Sequence, residues 1–227
     1  MAKLIITIDG PAGSGKSTAT RLLAQKLDAV FLDTGAMYRA VTLAAMLAGA
    51  DFKNDSLLAD VLDKNSFSFK ADKDKMFASI NGRDVTEQIR GIDVTANAKY
   101  ISSSEKIRQR LVQMQREFAE GCEKIVTEGR DQGTIAFSDA DVKFFLTADL
   151  AERAKRRQAE LAAKGINESF QSIKQAINER DKSDRSRTVG PLKPAKDAIT
   201  IDTTGLSIEQ MVDKLLEIVK TKCSKRK

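Results

Sequence analysis

The period of the apolar positions changes repeatedly along this chain. KLIITID (3–9) is short and β-branched, with apolar residues on both sides of the strand alternation, which predicts a strand buried on two faces. From Lys16 to Leu27 the spacing becomes helical, with Leu22, Leu23 and Leu27 toward one side. AVFLD (29–33) predicts a second strand, and helices follow over 35–48 and 56–64. The pattern then shortens: 67–85 holds β-like runs broken by a charged loop and by Asn81-Gly82, a hairpin signal. Helical spacing returns over 104–120 through Ile107, Leu111, Met114 and Phe118. KIVTE (124–128) and VKFFL (142–146) predict strands. Asp149-x-x-Glu152 marks the start of a charged helix running to Lys164, and another helix is predicted over 169–182. AITID (198–202) is the last predicted strand. Ser207-x-x-Gln210 opens a closing helix whose apolar face carries Ile208, Met211, Leu215 and Ile218.

Strands alternating with helices predict an α/β fold, a parallel sheet covered on both faces, with a small antiparallel insert at 67–85. Ligands of such sheets bind at the carboxyl ends of the strands. GPAGSGKST, DTGAMYR, EGRDQGT and TADLAER all begin at predicted strand ends, so they are expected to converge on one crevice.

Composition narrows the chemistry. The chain has 227 residues, enough for one large domain, and its 41% hydrophobic and 31% charged content is that of an ordinary soluble protein. The longest mostly apolar run, 40–50, is too short to span a membrane. MAKLIITIDG reaches an acid before a signal-peptide core forms, so a cytoplasmic protein without a membrane partner is expected. The absence of histidine excludes Ser-His-Asp, Cys-His and His-metal chemistry. Cys122 and Cys223 have no metal-ligand spacing, and no disulfide is expected. The net charge is +6, but Lys220, Lys222, Lys225, Arg226 and Lys227 crowd the end, and about +1 remains without them. That distribution reads as a solvated terminus, not a nucleic-acid surface.

Gly10-Pro-Ala-Gly-Ser-Gly-Lys-Ser17 fits G-x-x-x-x-G-K-[ST] in full, between a predicted strand and a predicted helix. The glycines let backbone amides face a phosphate, Lys16 reaches the outer phosphates and Ser17 is placed to ligate Mg²⁺. Asp202-Thr-Thr-Gly205 is the D-x-x-G match, too near the end for a GTPase switch, and no N-K-x-D follows. Arginine stands out: Arg39, Arg108, Arg130, the trio Arg153, Arg156 and Arg157 on one helix face, then Arg180, Arg185 and Arg187. Guanidinium forks suit the oxygens of a phosphoryl group in transfer. Asp131 could accept from an exocyclic amine or orient Arg130 by an ion pair. Tyr38 could stack on a substrate or sit half-buried. On these residues alone the acceptor stays open among small phosphorylatable molecules such as CMP, UMP, AMP or shikimate. An RNA-stimulated ATPase and an ATP-sensing module also stay open.

GPAGSGKST, DTGAMYRA, EGRDQGT, NERDKSDRSR followed by PL, and ITIDTTGLSIEQ together resemble bacterial-type cytidylate kinases, in order across essentially the whole chain. The resemblance implies a nucleoside monophosphate kinase fold in a single domain, 1–227. Its P-loop core would lie at about 1–35, 104–150 and 185–227, its NMP-binding subdomain at about 36–103, and its mobile helical lid at about 151–170 with Gly165 as a hinge. The implied reaction is ATP with CMP or dCMP giving ADP with CDP or dCDP, with Mg²⁺, in a monomer. By motif match, Gly10, Pro11, Ala12, Gly13, Ser14, Gly15, Lys16, Ser17 and Thr18 would bind ATP. Thr34, Tyr38 and Arg39 would lie near the CMP phosphate and base, and Arg108 would bind the phosphate. Arg130 and Asp131 would read cytosine, while Arg180, Asp184 and Arg187 would contact sugar and phosphates. Lys16, Arg130, Arg153 and Arg157 would carry catalysis. One position departs: Lys99 stands where the family usually has a small serine that helps hold the acceptor.

Overall fold

The structure, a computed structural model, describes residues 4–72 and 75–224. Lys3, assigned to the first strand, and Lys225, Arg226 and Lys227 of the basic end lie outside the described residues. In chain order the elements are β1 (Leu4–Asp9), α1 (Lys16–Leu27), β2 (Val30–Asp33), α2 (Thr34–Leu47), α3 (Asp55–Lys64), β3 (Phe67–Asp72), β4 (Lys75–Ile80) and β5 (Arg83–Asp84). They continue as α4 (Ile92–Ser103), α5 (Glu105–Glu120), β6 (Lys124–Gly129), β7 (Val142–Thr147), α6 (Leu150–Ala162), α7 (Phe170–Ser186), β8 (Ile199–Asp202) and α8 (Ile208–Ser224).

Five strands form one parallel sheet in the order β2-β6-β1-β7-β8. β1 runs between β6 and β7, so the loop after β1 emerges beside the ends of both. Strand alternation sends Ile5 and Ile125 to one face, and Ile6, Ile8 and Val126 to the other. The second face packs on α1 and α8 through Leu23, Met211 and Leu215. Leu23 is buried there, whereas Leu22 and Leu27 only flank the core. The first face packs on α2, α5 and the insert. Met76, Ala78, Ile80, Ile89 and Val94 share one core with Ile5 and Leu32, so the insert has no separate core.

β3, β4 and β5 form the small antiparallel sheet. Asn81 and Gly82 take φ of 51° and 78° between β4 and β5, the left-handed pair of a tight hairpin. Four features are absent from the sequence expectation, the first being α4 itself, Ile92–Ser103. A 3-10 turn, Gln88–Arg90, leads into α4, and a π-helical turn, Gln132–Ala136, follows β6. α7 runs on to Ser186, past the expected end at 182.

α6 and α7 pack on each other through a third cluster of Ala154, Ile173 and Ile177, flanked by Leu150, Leu161 and Phe170. Asp149 caps α6, accepting from the amides of Ala151 at 2.7 Å and Glu152 at 3.4 Å. Gly165, the expected hinge, lies in the turn that closes α6. At φ 74° it lets its own amide reach Ala162 O and that of Ile166 reach Leu161 O, at 2.9 and 3.0 Å, a helix-ending pair of bonds.

Candidate active site

The P-loop closes tightly over the sheet. A Cβ on Gly10, at φ 150°, would lie 2.2 Å from the Leu146 carbonyl of β7, so only glycine fits. Ser14 Oγ donates to Pro11 O at 3.0 Å, fixing the turn. Lys16 does not reach outward here: its Nζ donates to Pro11 O at 2.6 Å. Burial, and then the Arg130 charge, hold the Lys16 ammonium well below its ordinary pKa. Ser17 and Thr18 are exposed at the start of α1, and the Ser17 hydroxyl bonds the Glu128 carboxylate. Ala12 and Gly13 pack against Arg153.

Glu128, at the end of β6, is buried beside Lys16 and Ser17, where the sequence shows only an apolar strand ending in Glu in place of Asp. Burial and neighbouring Asp33 raise its pKa, while Lys16 and Ser17 oppose the rise. Asp9, at the end of β1, accepts from the amides of Gln132 at 2.9 Å and Gly133 at 2.7 Å, and so holds the π-helical turn. Its burial pushes it up to about 6.

Across the cleft, Arg130, Arg180 and Arg187 converge on Asp184, which is 1% exposed. Arg130 Nε donates to Asp184 Oδ2 at 2.8 Å, and Arg187 Nη2 bonds Oδ1. Burial alone would raise Asp184, but Arg130 and Arg187 hold it below the usual carboxylate range. Arg180 is exposed as a residue, yet neighbouring protein desolvates its guanidinium. That desolvation and then the Arg130 charge push it down to about 10. Three guanidiniums thus share one carboxylate.

Asp131 pairs with Arg108, not with Arg130 as the sequence suggested. Arg108 is 3% exposed and lies 5.6 Å from the Tyr38 ring centroid. Thr34 Oγ1 donates to Glu128 O at 2.7 Å, which joins the start of α2 to the end of β6. Arg39 stands apart from the cluster, bonding Asp33 at 3.1 Å.

The α6 trio does not share one environment. Arg153 is 5% exposed, and its Nη1 donates to Asp181 at 2.6 Å and to the P-loop carbonyl of Ala12 at 3.1 Å. Arg156 bonds Glu152 and Thr203. Arg157 is the open one: it bonds Glu160 at 3.0 Å and lies near enough to depress Arg180. The Asp202-Thr-Thr-Gly205 loop packs beside the P-loop. Thr203 donates to Ser14 O at 3.2 Å and to Thr147 O at 3.0 Å.

A family model for cytidylate kinase matches residues 6–221. This chain belongs to the cytidylate kinase family. A curated cytidylate kinase of Anoxybacillus flavithermus is 44% identical over 96% of this chain and 96% of its own. One of Leuconostoc mesenteroides is 41% identical over 99% of this chain and all of its own. A solved structure of an uncharacterized protein from Eubacterium ventriosum is 16% identical, with a TM-score of 0.51, and covers 96% of this chain and 99% of that one. It shares the fold alone.

At the family's departing position, Lys99 is exposed with its ammonium 5.0 Å from the Tyr100 ring centroid. Two residues that the sequence expectation did not assign to the site also bond its arginines. Ser102 bonds both Arg108 and Arg187, and Asp181 bonds Arg153. Ser102 carries no local signal, since a serine near a helix end is common. Asp181 lies inside the ERD motif, and its partner 28 residues away is invisible to spacing.

Proposed function

We propose that this chain transfers the γ-phosphoryl group of ATP to CMP or dCMP. An oxygen of the acceptor phosphate bonds to the γ-phosphorus, the bond to the β-phosphate oxygen breaks, and ADP leaves with CDP or dCDP. The observation that carries this reading is the excess of positive charge around Asp184, beside Lys16 of the P-loop. Arginines in surplus over their carboxylate are poised for an anion, and bidentate guanidiniums suit phosphate oxygens.

The acceptor phosphate is already an anion near neutral pH, so no general base is required and a chain without histidine suffices. Catalysis reduces to positioning and electrostatics. Orientation of donor and acceptor supplies about 7–11 kcal/mol. A transition-state arginine supplies roughly 10³–10⁵ in rate. Lys16, Arg130 and Arg157 take the catalytic roles, and Arg39, Arg108, Arg130, Arg180 and Arg187 receive the acceptor. Tyr38, Asp131 and Asp184 orient those guanidiniums. Arg153 acts from beneath the P-loop by holding the Ala12 carbonyl.

The Ser17 hydroxyl and the Glu128 carboxylate are hard oxygen donors and fit Mg²⁺, and among the described residues there is no cluster of three metal-ligating side chains. Such an ion would come with the nucleotide, and when bound it neutralises β- and γ-phosphate charge. The segment 36–103 would hold the acceptor, and 151–170 would close over the donor to exclude water. The enzyme would act as a cytoplasmic monomer without nucleic acid.

The test is ADP formation from ATP and Mg²⁺ with CMP, dCMP, UMP, AMP or no acceptor. Turnover with CMP and dCMP over a low background is expected. ADP formed only with AMP or UMP would overturn the cytosine assignment, and ADP formed without acceptor would overturn the kinase reading.

A further inference from the structure

The C-terminal turn of α4 receives two arginines from distant parts of the chain. Arg108, from α5, donates from Nη1 to the Ser102 carbonyl at 3.1 Å. Arg187, just beyond α7, donates from Nη2 to the Ser102 hydroxyl at 3.0 Å. That hydroxyl gives its own proton to the Lys99 carbonyl at 3.0 Å, which leaves its lone pairs facing Arg187. A helix C-terminus carries unpaired carbonyls and partial negative charge, so it favours cations. The remaining anchors are carboxylates, Asp131 for Arg108 and Asp184 for Arg187. The Nε atoms of both arginines are buried without a partner, so each guanidinium keeps a donor to offer.

We propose that Ser102 is a positioning residue for the acceptor. Its hydroxyl fixes the guanidinium plane of Arg187 against Asp184, and its carbonyl does the same for Arg108 against Asp131. Both guanidiniums are then held in place before the nucleotide binds, which lowers the ordering cost of binding. The placement also ties α4, in the insert, to the residues that follow α7. The inference rests on the reading of this cleft as the CMP site.

The experiment is steady-state kinetics of wild type, Ser102→Ala and Ser102→Thr with ATP and CMP each varied, together with thermal melting. A hydrogen bond to a charged group is lost in Ser102→Ala, so KM for CMP is expected to rise about tenfold, with kcat and KM for ATP within about twofold of wild type. Ser102→Thr keeps the hydroxyl and is expected to restore KM for CMP. An unchanged KM for CMP in Ser102→Ala overturns the inference while the kinase reading stands. An equal rise in both KM values, with early melting, also overturns it, because that is the signature of a merely structural role. Wild type without CMP-dependent turnover overturns both.

Discussion

Gly10 occupies a point where the backbone of β7 leaves no room for a side chain, and Gly10→Ala forces the P-loop off the sheet. Overpacking of this kind costs about 1–3 kcal/mol. The loop that must cradle phosphate is the part displaced, so ATP affinity should fall more than tenfold. Titration calorimetry with ATP checks this, and retained affinity would show that the loop can shift without penalty. Asp9 makes a different kind of prediction. In the folded protein it keeps its proton up to about pH 6, against an ordinary 3.8. Between those values the folded state binds more protons than the unfolded state. Its contribution to stability is therefore full below about pH 4 and lost as pH rises through about 6, a swing of about 3 kcal/mol. Asp184 has the opposite sign, since its pKa is depressed, and its contribution is lost on acidification. Urea unfolding of wild type and Asp9→Ala from pH 4 to 8 isolates the Asp9 effect in the difference curve. A flat difference would contradict the assignment. In the sequence Asp9 reads only as the polar end of an apolar strand. Only its position under Gln132 and Gly133 shows what it holds.

α6 and α7 form a helical pair with a small core of their own, joined by the buried Arg153–Asp181 ion pair, and Arg153 also bonds the P-loop carbonyl of Ala12. Asp181 is 3% exposed, and its Oδ1 has no partner. Removing one charge leaves the other buried and unpaired, so Arg153→Met or Asp181→Asn should destabilise by about 3–5 kcal/mol. The double variant Arg153→Met with Asp181→Leu should recover most of that loss. Chemical denaturation of the three variants is the measurement, and a double variant as weak as the singles would mean that the pair is more than an electrostatic tie. Arg157 belongs to the same helix but not to the tie. Arg157→Ala should keep wild-type melting and lose roughly 10³ in kcat. Rapid-quench kinetics would expose the error if melting fell and the chemical step did not. The helical spacing of 153, 156 and 157 predicted a helix correctly, but spacing cannot tell a buried arginine from an open one. That distinction depends on α7, whose Asp181 arrives from the far side of a turn.

At the scale of the whole molecule, the cleft gathers charge that the chain as a whole does not display. Arginines from the end of β6, from α5 and from α7 meet beside the P-loop, while the overall surplus of charge collects at the C-terminal end. Binding of a nucleotide monophosphate there should weaken with salt, because screening shortens to about 3 Å at 1 M. KM for CMP should rise severalfold between about 0.05 and 0.5 M KCl, and deletion of the basic end should leave that slope intact. A salt-independent KM would remove the arginine cluster from acceptor binding. The sequence by itself determined the alternating α/β plan, the phosphate loop and the hairpin at Asn81-Gly82. Each is written in residues that act on near neighbours, through periodicity, glycine conformation or a capping side chain. The tertiary structure alone decided the partners. Asp131 bonds Arg108 across 23 positions, Asp184 bonds Arg130 across 54, and Ser102 bonds Arg187 across 85. Such pairings follow from the sheet order and from burial, which bring carboxylates and guanidiniums together at one edge, where a buried carboxylate needs a charged partner.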